Sequence, residues 1–121
     1  MEYVSLNDVV RKENSPSCIV YEYVTKSSEV SIAISEMNGR YPDEGYAVNE
    51  KCNEMGYVLE GSGKLITETR SVDLSAGDVV LIPRGEKYYW EGSLKVLIPT
   101  APAWYPEQHK TNVSLNSSSN L

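Results

Sequence analysis

The chain has 121 residues, a length that suits one domain with a single buried core. Hydrophobic residues make up 40% and charged residues 23%, which excludes a disordered chain. A formal net charge of -6 excludes the clustered Lys and Arg of a large nucleic-acid footprint, and argues equally against an anionic membrane surface as partner.

The order of elements follows from turn signals and β-branched runs. Residues 1–16 are polar and end in "NSP", a loop signal. "SCIVYEYV" (17–24) and "EVSIAISE" (29–36) read as strands joined by the turn "TKSS". "NGRYPDEG" (38–45), with two Gly and a Pro, reads as loop. "GYVLE", "GSG" and "KLITETR" predict a hairpin with Gly61 and Gly63 at its turn. "SVDL" and "VVLIP" are short strands around the turn "SAGD", and "KYYWEG" and "SLKVLIP" close the series. Nothing repeats at helical spacing, and strands every ~8–12 residues predict an all-β sandwich or barrel. "PAWYPEQHK" is aromatic and proline-rich, so residues 100–110 are expected to form an ordered flap on the barrel. Residues 1–110 are thus expected to form one domain, and the Ser- and Asn-rich residues 111–121 a disordered polar tail.

The aromatic set is nine Tyr and two Trp with no Phe, so every ring carries a polar atom that needs a partner when buried. It fits either the high strand propensity of Tyr or a Tyr-lined cavity for a polar ligand. The start "MEYVSLNDVV" carries Glu2 and Asp8 and lacks the basic and apolar segments of a signal peptide. No apolar run approaches the ~20 residues that cross a bilayer. Two cysteines, Cys18 and Cys52, are too few for a disulfide scaffold. These features predict a cytoplasmic protein with reduced thiols and no membrane partner.

Two spacings then converge. Glu54 is followed by Gly61, and Gly77, Pro83 and Gly85 frame "GDVVLIPRG". With the strand order over residues 17–99, they resemble the two motifs of the cupin superfamily. The resemblance implies a double-stranded β-helix, or jelly-roll, barrel. It also implies four metal-ligand positions. Counting back from Glu54, the two histidine positions fall on Val48 and Glu50, or on Ala47 and Asn49 with the longer spacing. The histidine of the second motif falls on Tyr88, so only Glu54 is retained. One carboxylate does not hold a catalytic metal, since such sites use about three protein ligands. No cofactor is therefore expected. A divalent ion on Glu50, Cys52 and Glu54 is the alternative, because the three share parity if their strand is unbroken. Otherwise Glu50 faces solvent and Cys52 is a small core residue.

The expected function is binding of a small polar, carbohydrate-like molecule. Glu50 and Glu54 would accept its hydrogen bonds, and Tyr57 (or Tyr46), Tyr88 and Trp90 would supply faces and hydroxyls. A metal-independent isomerase or epimerase is the alternative, with Glu54 as base and Tyr88 as acid. A further resemblance, to the ethanolamine-utilisation cupins, rests on "YVLEG" and the terminal "PAW". A homodimer is the expected assembly, two-fold dimers being the commonest oligomers. His109, the only histidine, has no partner visible in the sequence and reads as a surface residue of the flap, with a flap residue reaching the cavity mouth as the alternative.

Overall fold

β-branched and aromatic runs, cut by glycine turns, build a barrel from nine antiparallel strands among the described residues. The computed structural model describes residues 1–115. Its strands are β1 (Val10–Ser15), β2 (Cys18–Tyr23), β3 (Ser31–Tyr41), β4 (Tyr46–Asn49), β5 (Asn53–Thr67), β6 (Ser71–Ser75), β7 (Val79–Ile82), β8 (Lys87–Ala101) and β9 (His109–Val113). The fold is the all-β jelly-roll barrel implied by the motif spacings.

β8 is the spine. β3 pairs along one of its edges, from Ser31↔Thr100 to Tyr41↔Trp90, and β4 continues that edge at Ala47↔Tyr88. β5 pairs along the other edge, from Asn53↔Ala101 to Thr67↔Tyr88. β7 and then β6 lie along the free side of β5. β1, β2 and β9 extend the sheet, which curls so that alternate side chains face inward. In β8 these are Tyr88, Trp90, Leu94, Val96 and Thr100, all buried.

Gly61 and Gly63 do not turn a hairpin as expected. β5 runs through them for 15 residues and bends instead. Gly61 has φ +91°, and a register shift lies between Val58 and Glu60. "KYYWEG" and "SLKVLIP" are likewise one strand, bent at Gly92 with φ +126°. The two bends lie side by side, with Gly63 directly opposite Gly92 on the neighbouring strand. A Cβ on Gly92 would lie 2.5 Å from the Gly63 Cα. Three more boundaries differ from the sequence reading. β1 forms within the polar N-terminal stretch, where its outward side chains need not be apolar. β3 runs on to Tyr41, leaving only 42–45 as loop. β9 takes in residues 111–113 of the expected tail, because pairing with β4 satisfies its backbone whatever the side chains. The rest of that tail, from 116, lies outside the described residues.

The packed core fills one end of the barrel, with Val58, Leu65, Leu74, Leu94 and Val96 all 5% exposed or less. Each such side chain contributes about 1.5–3 kcal/mol on burial. The other end is left for a cavity. Gly92→Ala should lower the unfolding free energy by about 3 kcal/mol or more, through strain and backbone overlap together. Gly77→Ala should cost only about 1 kcal/mol, since Gly77 has φ +95° but nothing within 4 Å of an added Cβ. Equal costs in chemical denaturation would show that the close approach of Gly92 to Gly63 does not constrain the fold.

Candidate functional site

A cavity of about 180 Å³ opens at the end of the barrel opposite the packed core. Its floor is Glu54, Tyr88 and Trp90, from adjacent β5 and β8. Its walls include Cys18, Val20 and Glu22 of β2 and Ser35, Met37 and Tyr41 of β3. Loop 24–30 and the segment 102–105 form the mouth. They are joined by the Ala103 N–H donating to the Ser28 carbonyl at 3.1 Å and by the Trp104 N–H donating to Ser31 Oγ at 3.0 Å.

The polar floor is held by a chain of hydrogen bonds whose directions are fixed from one end. Backbone N–H groups can only donate, and those of Lys51 (3.2 Å) and Cys52 (3.3 Å) both reach Gln108 Oε1. Gln108 Nε2 therefore donates to Asn49 Oδ1 at 2.9 Å. His109 Nδ1 lies 2.9 Å from the same oxygen and must carry a proton. In the neutral ring Nε2 then accepts, so the Tyr41 hydroxyl donates to it at 2.9 Å. Asn49 Nδ2 points the other way and donates to Glu54 Oε1 (3.3 Å) and to the Tyr88 hydroxyl oxygen (3.4 Å). Aromatic contacts stiffen the same wall. His109 stacks parallel to Tyr41 at 6.3 Å between centroids and meets Trp104 at 5.7 Å.

Burial sets the charge states. Desolvation raises Glu54 to about 7, against the opposing effect of the Asn49 hydrogen bond. It lowers His109 to about 4, so the ring is neutral near pH 7, as its hydrogen bonds require. It also pushes the Cys18 thiol up to about 12, with the Glu54 charge adding to the effect, and holds the Tyr88 phenol well above its ordinary range. Glu54 is thus the cavity group that exchanges protons at neutral pH.

The structure brings together three of the residues singled out in the sequence and separates four others. Glu54 (7% exposed), Tyr88 and Trp90 (2% each) converge at the floor. Glu54 and Tyr88 do not bond to each other as ligand positions of one metal might; Asn49 bridges them. Tyr57 is 44% exposed on the outer face of β5, one residue out of phase with Glu54 and Gly56, and Tyr46 packs against Tyr89 outside the cavity. Glu50 and Cys52 lie in the bend between β4 and β5, so the unbroken strand that would align them with Glu54 does not exist. Glu50 is partly exposed, while Cys52 is fully buried with its thiol 3.9 Å from the Ala103 carbonyl oxygen; neither lines the cavity.

Asn49 and Gln108 were not singled out as site residues. Asn49 did carry a signal: with the longer motif spacing it stands at a histidine position, and its bonds to Glu54 and Tyr88 identify that spacing as the operative one. His109 is not a free surface residue, and its partners Tyr41 and Asn49 come from strands far away in sequence. The residues at the implied metal positions do not fit a metal. Ala47 has no ligating side-chain atom, and the Asn49 amide oxygen, the atom that could bind an ion, is committed to Gln108 and His109. Among the described residues no three His, Cys, Asp or Glu side chains are grouped to hold an ion.

The two titrating groups set opposite pH slopes on stability. Glu54 is raised on folding, so its contribution is full below about 4.5 and lost as pH rises through about 7. His109 is lowered, so its contribution is full above about 6.5 and lost as pH falls through about 4. Relative to the parent, Glu54→Gln should gain stability by about 1.4 kcal/mol per pH unit between 4.5 and 7, and His109→Gln should lose a similar amount per unit between 4 and 6.5. Urea unfolding across this range checks both; differences that do not vary with pH would mean that these groups are not desolvated.

Comparison with known proteins agrees with this architecture. The cupin domain family model matches residues 40–96. The Streptomyces protein Pac13, a nucleoside dehydratase also solved with uridine, superposes with a TM-score of 0.80 at 15% identity, over 91% of this chain and 89% of that one. The polyketide cyclase RemF from Streptomyces resistomycificus superposes at 0.69 with 22% identity, over 96% and 89%. EutQ of Clostridium difficile superposes at 0.60 with 25% identity, over 84% and 75%. No curated protein matches the chain in sequence.

Proposed function

The chain is a member of the cupin superfamily, and we propose that it binds a small polar molecule within the barrel through Glu54, Tyr88 and Trp90, without a metal ion. The observation that carries this reading is the state of the floor. Asn49 engages one carboxyl oxygen of Glu54 and the Tyr88 oxygen. Among the described residues, the second Glu54 oxygen and the Tyr88 proton have no protein partner, yet no buried side-chain N or O is left without one. The second Glu54 oxygen is therefore open to the cavity. Pac13, of the same fold, was solved with uridine in place, which supports a molecule of that general kind as occupant. Metal independence is supported by Ala47, Asn49 and Tyr88 at three of the four ligand positions.

A second reading, a metal-independent isomerase or epimerase, is favoured by one observation. A carboxyl group raised to about 7 beside a phenol with a free proton is suited to move a proton next to a carbonyl. We further propose a homodimer in the cytoplasm. The outer face of β5 and β7 supports the dimer, because Met55 pairs across with Leu81 and Tyr57 with Val79, and all four are over 40% exposed. Buried, unpaired Cys18 and Cys52 fit a reducing compartment. No helix among the described residues is long and apolar enough to cross a membrane.

Titration of a metabolite library should find a polar ligand whose affinity falls about 10-fold or more in both Glu54→Gln and Tyr88→Phe. Affinity should be unchanged by EDTA, and elemental analysis should find no stoichiometric metal. About one Fe, Mn, Zn or Ni per chain, or binding lost to the chelator, would refute metal independence. Separately, light scattering should show a dimer that Tyr57→Glu with Leu81→Glu converts to monomer; a parent already monomeric at tens of micromolar would remove that proposal.

A further inference from the structure

Among the described residues, the acidic and basic side chains that line the cavity are of one sign. Among the described residues, the carboxyl groups that line it are Glu54 on the floor and Glu22 on the β2 wall, and no Lys or Arg lines it. Lys26, exposed in the mouth loop, does not line the cavity, and the other cations considered are engaged elsewhere. Lys12 holds Glu22 at 2.7 Å from the half-exposed β1 edge. Arg40 donates to the Pro42 (2.7 Å) and Gly45 (2.8 Å) carbonyls and covers the Tyr89 ring at 3.8 Å. Lys87 donates to the Ser114 carbonyl at 3.0 Å. No helix of more than one turn is present among the described residues to offer free N–H groups to an anion. His109 is neutral, with its Nδ1 proton directed at Asn49.

From this we infer that the cavity selects an uncharged, hydroxyl-bearing ring compound and rejects its phosphorylated or carboxylated counterpart. The inference rests on the proposed binding role and specifies its ligand class. A buried anion needs a paired cation or several donors, and this cavity has neither. An alcohol, by contrast, completes the floor. Its proton is accepted by the open oxygen of Glu54, and its oxygen accepts the proton of Tyr88, both groups being oriented by one Asn49 amide. Trp90 and Trp104, with Ile98 between β3 and β5, give a ring its apolar surfaces. The volume of about 180 Å³ suits one ring system with short substituents and leaves little room for hydrated charge.

The test uses matched pairs at pH 8, where Glu54 is mostly ionised. Uridine and adenosine are compared with their 5′-monophosphates, and methyl glucoside with its uronate, by calorimetry on the full chain. The expected result is saturable binding of at least one neutral member, with its charged partner about 100-fold weaker or more. Glu54→Gln should cut that ratio to about 10-fold or less while weakening the neutral ligand. Charged partners binding equally well or better would overturn the inference and leave the cavity's binding role intact. An unchanged ratio in Glu54→Gln would also overturn it, since exclusion would then not come from the floor carboxylate. If no member of any pair binds, the binding role itself fails, and the inference fails with it.

Discussion

The site depends on two backbone N–H groups that cannot be turned around. Those of Lys51 and Cys52, in the bend between β4 and β5, both donate to the Gln108 side-chain oxygen. Everything polar in the cavity floor then follows by complementarity. Gln108 must donate to Asn49, Asn49 must donate to Glu54 and Tyr88, His109 must be protonated on Nδ1, and Tyr41 must donate to its Nε2. Each step leaves the next group one hydrogen-bonding option. Such a network is worth more than separate pairs in a low-dielectric interior, and it fixes the geometry on which the proposed binding relies.

The same bend explains why a barrel of this type can lack histidines and keep an organised floor. In the motif implied by the sequence, a metal would draw the ligand side chains together. Here the Asn49 amide holds Glu54 and Tyr88 in their relative positions by hydrogen bonds, and Gln108 and His109 from the chain's C-terminal segment orient Asn49 in turn. That segment is consequently not an accessory to the barrel. Gln108 is 2% exposed, and its backbone carbonyl also accepts from the Glu50 N–H at 2.9 Å. Asn49 reaches further through its own carbonyl, which accepts from the Gly85 N–H at 2.8 Å and so ties the second motif's turn to the first.

The sequence made the barrel legible because its signals are local. Glycine and proline spacings, together with β-branched runs, set strand order and turn positions without reference to distant residues. It misread the Gly61–Gly63 stretch because positive φ, present at Gly61, serves a bend in a long strand as well as a turn, and only the pairing of β5 with β8 decides between them. The site was half legible. Glu54, Tyr88 and Trp90 follow from motif register and strand parity. Glu50 and Cys52 do not, because parity has no meaning across the bend at 50–52, and Tyr57 fails because aromatic character says nothing about face. His109 and Gln108 could not be placed from local pattern, since their partners lie roughly 60 residues away and are joined only by folding.

Glu54 sets the last constraint on function. Its pKa, raised to about 7 by burial, means that the folded state binds a proton the unfolded chain releases, so above about 4.5 the residue costs stability. The fold does not require that cost. A glutamine at position 54 would offer Asn49 the same acceptor oxygen and fill nearly the same volume. What only the carboxyl group adds is a second oxygen that can carry charge or a proton, and that oxygen opens on to the cavity. Destabilising groups held in a cleft by a satisfied hydrogen-bond network mark functional positions more often than structural ones. The chemistry proposed for the cavity, whether recognition of a hydroxyl or transfer of a proton, is thus concentrated on one atom whose surroundings leave it open to a ligand.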